Sequence, residues 1–217
     1  MAGRAMNKAL FSFIMPPAIL AAALLAGCSG GGSPSGDSVA GELTGARIGA
    51  PFTLTDQDGK QVRWDDFRGQ YRLVYFGYTY CPDVCPVDLQ RIMQAFAQFE
   101  KEEPALAARV QPMLISLDPK RDTPAVLKSY VAAFHPRLVG LTGTPEQIAR
   151  VAKDFVVIYN EETVKGASEY LVSHSRTPYL FGPDGKPIAL VPVDDPGTPE
   201  DEGAPEKVLA ALRQWVK

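Results

Sequence analysis

The stretch Cys81-Pro82-Asp83-Val84-Cys85-Pro86 places two thiols three residues apart, directly after the apolar run Leu73-Val74-Tyr75-Phe76. The run reads as a buried strand, and the segment at the cysteines as the start of a helix. A helix N-terminus carries free backbone N–H groups and a partial positive charge, so it favours thiolate over thiol. Thiolate is the form that attacks disulfides and the form that binds soft metals, so these residues imply redox chemistry or a metal site. On a helix, this spacing sets the sulfurs about one turn apart on one face. That suits two ligands aimed at a common ion, and a disulfide also fits the reach of such side chains.

The surrounding sequence has the periodicity to hold such a pair in a packed domain. Residues 71–77 form a continuous apolar run, the pattern of a strand covered on both faces. After the cysteines, Leu89, Ile92, Met93, Phe96 and Phe99 recur every three or four residues and mark the core face of a helix. Upstream, residues 52–55 and 61–63 flank the turn Asp58-Gly59 and predict an N-terminal β-hairpin, followed by a short helical turn at 65–69. Downstream, residues 110–117 read as a strand. Thr123-Pro124 then supplies a cap and a first-position proline for a helix to about residue 134. A short strand at 138–141 precedes Thr144-Pro145-Glu146-Gln147, a capping box leading the apolar face Ile148, Val151, Ala152 and Phe155. Residues 156–159 read as another strand, and 179–181 with 188–191 as a hairpin around Asp184-Gly185. Residues 192–205 read as a mobile acidic loop, and a helix over 204–216 carries Val208, Leu209, Leu212 and Trp215. Alternating strands and helices with a terminal hairpin and helix predict a mixed three-layer α/β domain.

The first 27 residues read as a targeting segment: Arg4 and Lys8 lead a mostly apolar stretch that Pro16-Pro17 interrupts, too short and broken for a membrane span. Leu25-Ala26-Gly27-Cys28 resembles the lipobox of bacterial lipoproteins, which implies a signal peptide over 1–27 and a lipid on Cys28. Residues 28–45 are rich in Gly and Ser and read as a flexible tether, leaving one domain over 46–217. Removing Arg4 and Lys8 and no acid takes the formal charge from −3 to −5. A mildly acidic domain without a basic cluster excludes nucleic acid as its expected partner. With Cys28 given to lipid, two of the three cysteines remain, too few for a disulfide scaffold and better suited to working chemistry.

A strand, paired cysteines opening a helix, βα units and a closing hairpin form the thioredoxin-like arrangement, α/β/α around a mixed sheet. Redox members of that fold usually separate their cysteines by two residues, not three. Four ordered blocks resemble the Sco/SenC family of copper-binding assembly proteins: Gly77-Tyr78-Thr79-Tyr80-Cys81-Pro82-Asp83-Val84-Cys85-Pro86; Ser116-Leu117-Asp118-Pro119-Lys120-Arg121-Asp122-Thr123-Pro124; residues 134–143; and Glu169-Tyr170-Leu171-Val172-Ser173-His174-Ser175 with Tyr179-Leu180-Phe181-Gly182-Pro183-Asp184-Gly185. The resemblance covers residues 50–217. It implies copper bound by Cys81, Cys85 and His174, and delivery to the dinuclear copper centre of a haem–copper cytochrome c oxidase. It also implies partnership with that oxidase subunit, with other copper carriers or with thiol reductants, from a lipid-anchored position on the periplasmic or extracytoplasmic face. Two thiolates and an imidazole suit Cu(I) and accept Cu(II). Zinc fits the same set, so the metal's identity rests on the resemblance. Many relatives carry an acid where this chain has Ser173, which removes a carboxylate that could support His174.

Other residues carry plainer readings beside the functional ones. His135, followed by Pro136, reads as structural. Asp118 and Asp122 fix the turn ahead of Thr123-Pro124 or stand near the site. Tyr78 and Tyr80 shield the metal or pack. Asp83 tunes the site, meets a partner or supports the helix start. Two rival functions use the same thiols: a thiol–disulfide oxidoreductase acting on the oxidase subunit's cysteines, and a peroxidase, for which the proline-led loop before a lone reactive cysteine is missing.

Overall fold

The computed structural model describes residues 41–163 and 170–217. The segment read as a signal peptide, Cys28, most of the stretch read as a tether, and Glu169 lie outside the described residues. Strand β1 (Thr53–Asp56) turns through Asp58-Gly59 into β2 (Gln61–Arg63), with Leu54 opposite Val62. Gly59 takes φ 79, a conformation glycine adopts without a Cβ clash. The Asp56 carboxylate accepts the N–H groups of Asp58 and Lys60 and closes the turn. A 3₁₀ turn (Trp64–Phe67) leads to β3 (Tyr71–Gly77), buried along its whole length. Helices α1 (Val84–Glu102) and the short α2 (Pro104–Ala107) follow, then β4 (Val110–Ser116). Next come α3 (Pro124–Ala132), β5 (Val139–Thr142) and α4 (Pro145–Asp154). The predicted caps are present: Thr123 accepts the Val126 N–H, and Thr144 and Gln147 exchange reciprocal bonds. The chain finishes with β6 (Tyr159–Thr163), β7 (Tyr170–His174), β8 (Tyr179–Phe181), β9 (Pro187–Leu190) and α5 (Pro205–Trp215).

The main sheet runs β2-β1-β5-β4-β3-β8-β9, with β3, β4 and β5 parallel and the outer pairs antiparallel. Side chains alternate across β3, so neighbouring residues sort the layers. Tyr75 faces α1, where its hydroxyl reaches Asp88, and Leu114 and Gly140 lie beside it in register. Gly140 lets α3 approach closely, since a Cβ there would lie 2.9 Å from Val131 Cγ1. Phe76 faces the other way, 5.4 Å from Phe155 at the end of α4, in a cluster with Phe52, Trp64, Tyr179 and Phe181. The layers are therefore α1, α3 and α5, then the sheet, then α4 with the aromatic cluster, as the sequence predicts.

Three local readings change. The strand expected at 156–159 begins only at Tyr159, because Val156 ends α4 at φ 57 and it and Ile158 project into solvent. A β-branched residue in that region is strained. Instead β6 pairs with β7, Tyr159 opposite His174, in a separate two-stranded sheet that the sequence reading did not contain. The loop over 192–205, read as mobile, carries two ties to the rest of the domain, the pair Arg91–Asp201 and Arg176 donating to the Asp194 carbonyl. Gly41 and Leu43, inside the stretch read as tether, pair with β9. Because Phe155 is fully buried among five aromatic rings, Phe155→Ala is expected to lower unfolding free energy by about 3–5 kcal/mol. Urea unfolding checks this, and a loss under about 1 kcal/mol would contradict the packing described.

Candidate metal centre

Both cysteines are free and buried at the C-terminal end of β3. Only Cys85 is helical. Cys81 precedes Pro82, which disfavours helical backbone at the residue before it, and Asp83 takes a non-helical φ of −139, so α1 starts at Val84. The sequence reading of both thiols on one helix is thus corrected. Cys81 stands in front of the helix, where its sulfur accepts the free Cys85 N–H at 3.3 Å. The Cys85 side chain also contacts the Cys81 sulfur. That contact, assisted by His174 and by backbone N–H groups against the cost of burial, pulls the Cys81 pKa down to about 3. The same contact, together with burial and the neighbouring charge, pushes Cys85 well above the ordinary thiol range.

His174 ends β7, and its Nε2 lies 3.1 Å from Cys85 Sγ although 89 residues separate them in sequence. Nδ1 stands 2.9 Å from the Ser175 carbonyl, which can only accept, so Nδ1 carries the proton. In the neutral ring the Nε2 lone pair then faces the thiols, the orientation a ligating imidazole needs. Ser173 points to the opposite face of β7, toward the Asn160 carbonyl. A backbone carbonyl, and not a side chain at position 173, therefore fixes this imidazole. Among the described residues no three His, Cys, Asp or Glu side chains stand as a ready-made metal cage. What is formed is the Cys85–His174 contact, with Cys81 joined to it through Cys85.

Buried polar residues fasten the elements that carry these ligands. Asp122 accepts the Thr79 N–H and hydroxyl and the Ser116 hydroxyl, tying the cysteine loop to the end of β4. Burial is the main force raising its pKa, opposed by those three donors. Asp118 pairs with Arg121 and accepts the Tyr170 hydroxyl at 2.6 Å, drawing in the first residue of β7. The Arg121 guanidinium lies over the rings of Tyr170 and Tyr80, at 3.8 and 4.7 Å. The Tyr78 hydroxyl accepts the Val172 N–H, and its ring stands edge-on to His174. Both aspartates thus fix the loop and stand near the site, the two readings that sequence left open.

His135 belongs elsewhere: its Nε2 meets Glu100 at 3.0 Å and its Nδ1 accepts the Arg137 N–H. Asp83 is exposed and makes no side-chain cap bond to α1. Tyr80 is half-exposed beside Cys81. Sequence reasoning missed Asp88 and Arg176, whose carboxylate and guanidinium pair beside the site. The signal was available, since Asp88 falls on the inward stripe that runs through Cys85, Leu89, Ile92 and Phe96. A buried acid on an apolar face requires a partner.

Fold and site together define a thioredoxin-like protein with a dithiol and an imidazole at one end of its sheet. The chain belongs to the SCO1/SenC family, whose profile matches residues 40–215. It is 47% identical over 134 residues to "Protein SCO2 homolog, mitochondrial" of Bos taurus, covering 62% of this chain and 50% of that one. It is 40% identical over 140 residues to "Protein SCO2, mitochondrial" of Saccharomyces cerevisiae, covering 64% and 46%. The chain spans about half the length of these curated relatives. Among solved structures it resembles copper-bound ScoI of Bradyrhizobium japonicum, with TM-score 0.66 and 36% identity over 77% of this chain and 99% of that one. A thioredoxin domain from Bacteroides vulgatus, at 15% identity and TM-score 0.52, shares the fold alone.

The opposite shifts of the two thiols order their reactivity. At pH 6 an ordinary thiol, with a pKa near 8.5, is almost wholly protonated, whereas a lowered pKa leaves Cys81 as thiolate. Iodoacetamide at pH 6 is expected to label Cys81 well before Cys85, read by peptide mass mapping. Labelling of Cys85 first would contradict the assignment.

Proposed function

We propose that this chain is a copper chaperone, held to a membrane by lipid on Cys28 at the periplasmic or extracytoplasmic face. Its cargo is passed to the dinuclear copper centre of a haem–copper cytochrome c oxidase during assembly. The observation that carries this reading is the approach of His174 Nε2 to Cys85 Sγ, with Cys81 joined to the same thiol. Family membership supports it, as do relatives whose structures are described with copper bound, including ScoI of Bradyrhizobium japonicum and yeast Sco1. For the lipid anchor the support is the sequence Leu25-Ala26-Gly27-Cys28. No helix among the described residues is long and apolar enough to cross a membrane. On this reading Cys81, Cys85 and His174 hold Cu(I) or Cu(II), and three donors leave the ion open to a partner's ligand. Transfer proceeds by stepwise exchange onto the partner's cysteines and histidines.

The low pKa of Cys81, which is more exposed than Cys85, favours a second reading. As a thiol–disulfide reductase, the Cys81 thiolate would attack a partner disulfide. Cys85 would then displace the second sulfur, leaving a Cys81–Cys85 disulfide and two partner thiols. His174 separates the readings because reduction does not need it. Metal analysis of the protein purified under reducing conditions with copper is expected to give one copper per chain, lost in Cys81→Ala, Cys85→Ala and His174→Ala alike. Undiminished copper in His174→Ala, or zinc retained in preference to copper, would overturn the chaperone reading.

A further inference from the structure

Beside the thiols lies an ion pair that the proposed copper chemistry does not use. Asp88 sits one helical turn beyond Cys85 on α1, and its carboxylate is 2% exposed. Its Oδ1 accepts from Arg176 Nη2 at 2.7 Å, and its Oδ2 from Arg176 Nε at 3.0 Å and the Tyr75 hydroxyl at 3.0 Å. This is the two-pronged guanidinium–carboxylate geometry, which fixes orientation as well as distance. The remaining prong, Nη1, donates to the Asp194 carbonyl at 3.1 Å. The Asp88 carboxylate raises the Arg176 pKa, so the guanidinium keeps its charge.

Arg176 lies two residues after His174, and the residue between them supplies the carbonyl that holds the imidazole proton. The segment from His174 to Arg176 is fixed from two sides. On the β6 side, Tyr159 pairs with His174, the Ser175 N–H donates to the Ile158 carbonyl, and the Ile158 N–H donates to the Ser175 hydroxyl. On the other side, Arg176 grips α1, the helix that carries Cys85. The β6 contacts orient the backbone relative to a two-stranded sheet, and that sheet is separate from the one bearing the cysteines. The Arg176 fork instead ties the segment to the helix of the thiol itself. Tyr75 completes the enclosure, with its hydroxyl on Asp88 and its ring 6.4 Å from the imidazole, edge-on.

We propose that Arg176, acting through Asp88, is a positioning residue that sets the His174 ring against Cys85, so that copper affinity depends on an ion pair that never touches the metal. The proposal rests on the copper reading for its second consequence only; the first is a property of the metal-free protein. In metal-free Arg176→Ala, with far-UV circular dichroism unchanged, ¹⁵N imidazole spectra of His174 are expected to change from one Nδ1–H tautomer to a mixture. Copper affinity by competition titration is expected to fall about 10–100-fold, the usual loss when a partner behind a ligand is removed. In a His174→Ala background, which keeps only the weak affinity of the two thiols that does not survive purification, the same substitution should change that residual affinity by less than about two-fold, because the ring it positions is gone. Asp88→Asn, which keeps the side-chain shape, provides the same comparison if Arg176→Ala does not fold. An unchanged His174 spectrum in Arg176→Ala overturns the proposal, as does an equal affinity loss with and without His174. A wild-type protein that binds no copper overturns the chaperone reading instead, while the imidazole spectra still decide the role of Arg176.

Discussion

The thiol–imidazole contact between Cys85 and His174 closes a loop of 89 residues, and everything else near the site bears on that closure. Confining a chain of that length costs about 4 kcal/mol in entropy. One neutral hydrogen bond returns about 1 kcal/mol net. The contact therefore cannot hold itself together; the fold delivers the two groups to each other. β3 and α1 present the thiols, and β7 is drawn in by Val172 on Tyr78, by Tyr170 on Asp118 and by Arg176 on Asp88. A cation bound here would occupy a position already set by the scaffold.

Polar and apolar burial divide the domain into two regions. Around Phe155 the core is a cluster of aromatic rings with ordinary packing consequences. At the thiol end, Asp88, Asp118 and Asp122 are each no more than 2% exposed, and each joins a different element to the ligand-bearing segments. Buried ion pairs contribute little net stability compared with apolar packing, while removal of one partner costs about 3–5 kcal/mol. Their concentration at one end fits a requirement for fixed geometry at the thiols, and the aromatic cluster supplies cohesion for the rest.

The sequence made the scaffold legible wherever one physical rule dominated. The β3 run, the apolar stripe of α1 and the capped starts of α3 and α4 follow from periodicity and caps, and they appear in the structure with shifts of a residue or two. The β6–β7 hairpin was not legible, because Asn160, Glu161 and Glu162 are polar and exposed and their strand exists only through pairing with β7. Val156 reads as the start of a strand over 156–159, yet it bends the chain out of α4 at positive φ. The partnership of Cys81 and Cys85 was visible in their spacing, but the position of Cys81 ahead of the helix depended on Pro82 and Asp83. The resemblance selected His174. No local pattern distinguishes it from His135, whose partners Glu100 and Arg137 are seen only in three dimensions.

The charge state of the pair bears on what a buried centre of this kind can accept. With Cys81 as thiolate and Cys85 still protonated, the two sulfurs carry a formal charge of −1. On the chaperone reading, Cu(I) takes the place of the Cys85 proton: both sulfurs become thiolates, one positive charge enters, and the total stays at −1. The domain then binds its cargo without adding uncompensated charge to a low-dielectric interior, a change that would otherwise be costly. A divalent ion would make the same site neutral, so the electrostatic cost of exchange differs between the two oxidation states. Loading becomes the replacement of a shared proton by a soft cation among atoms already facing one another. On the same reading, release would run this exchange backward, with the proton returning to Cys85 as a partner's ligands take the metal.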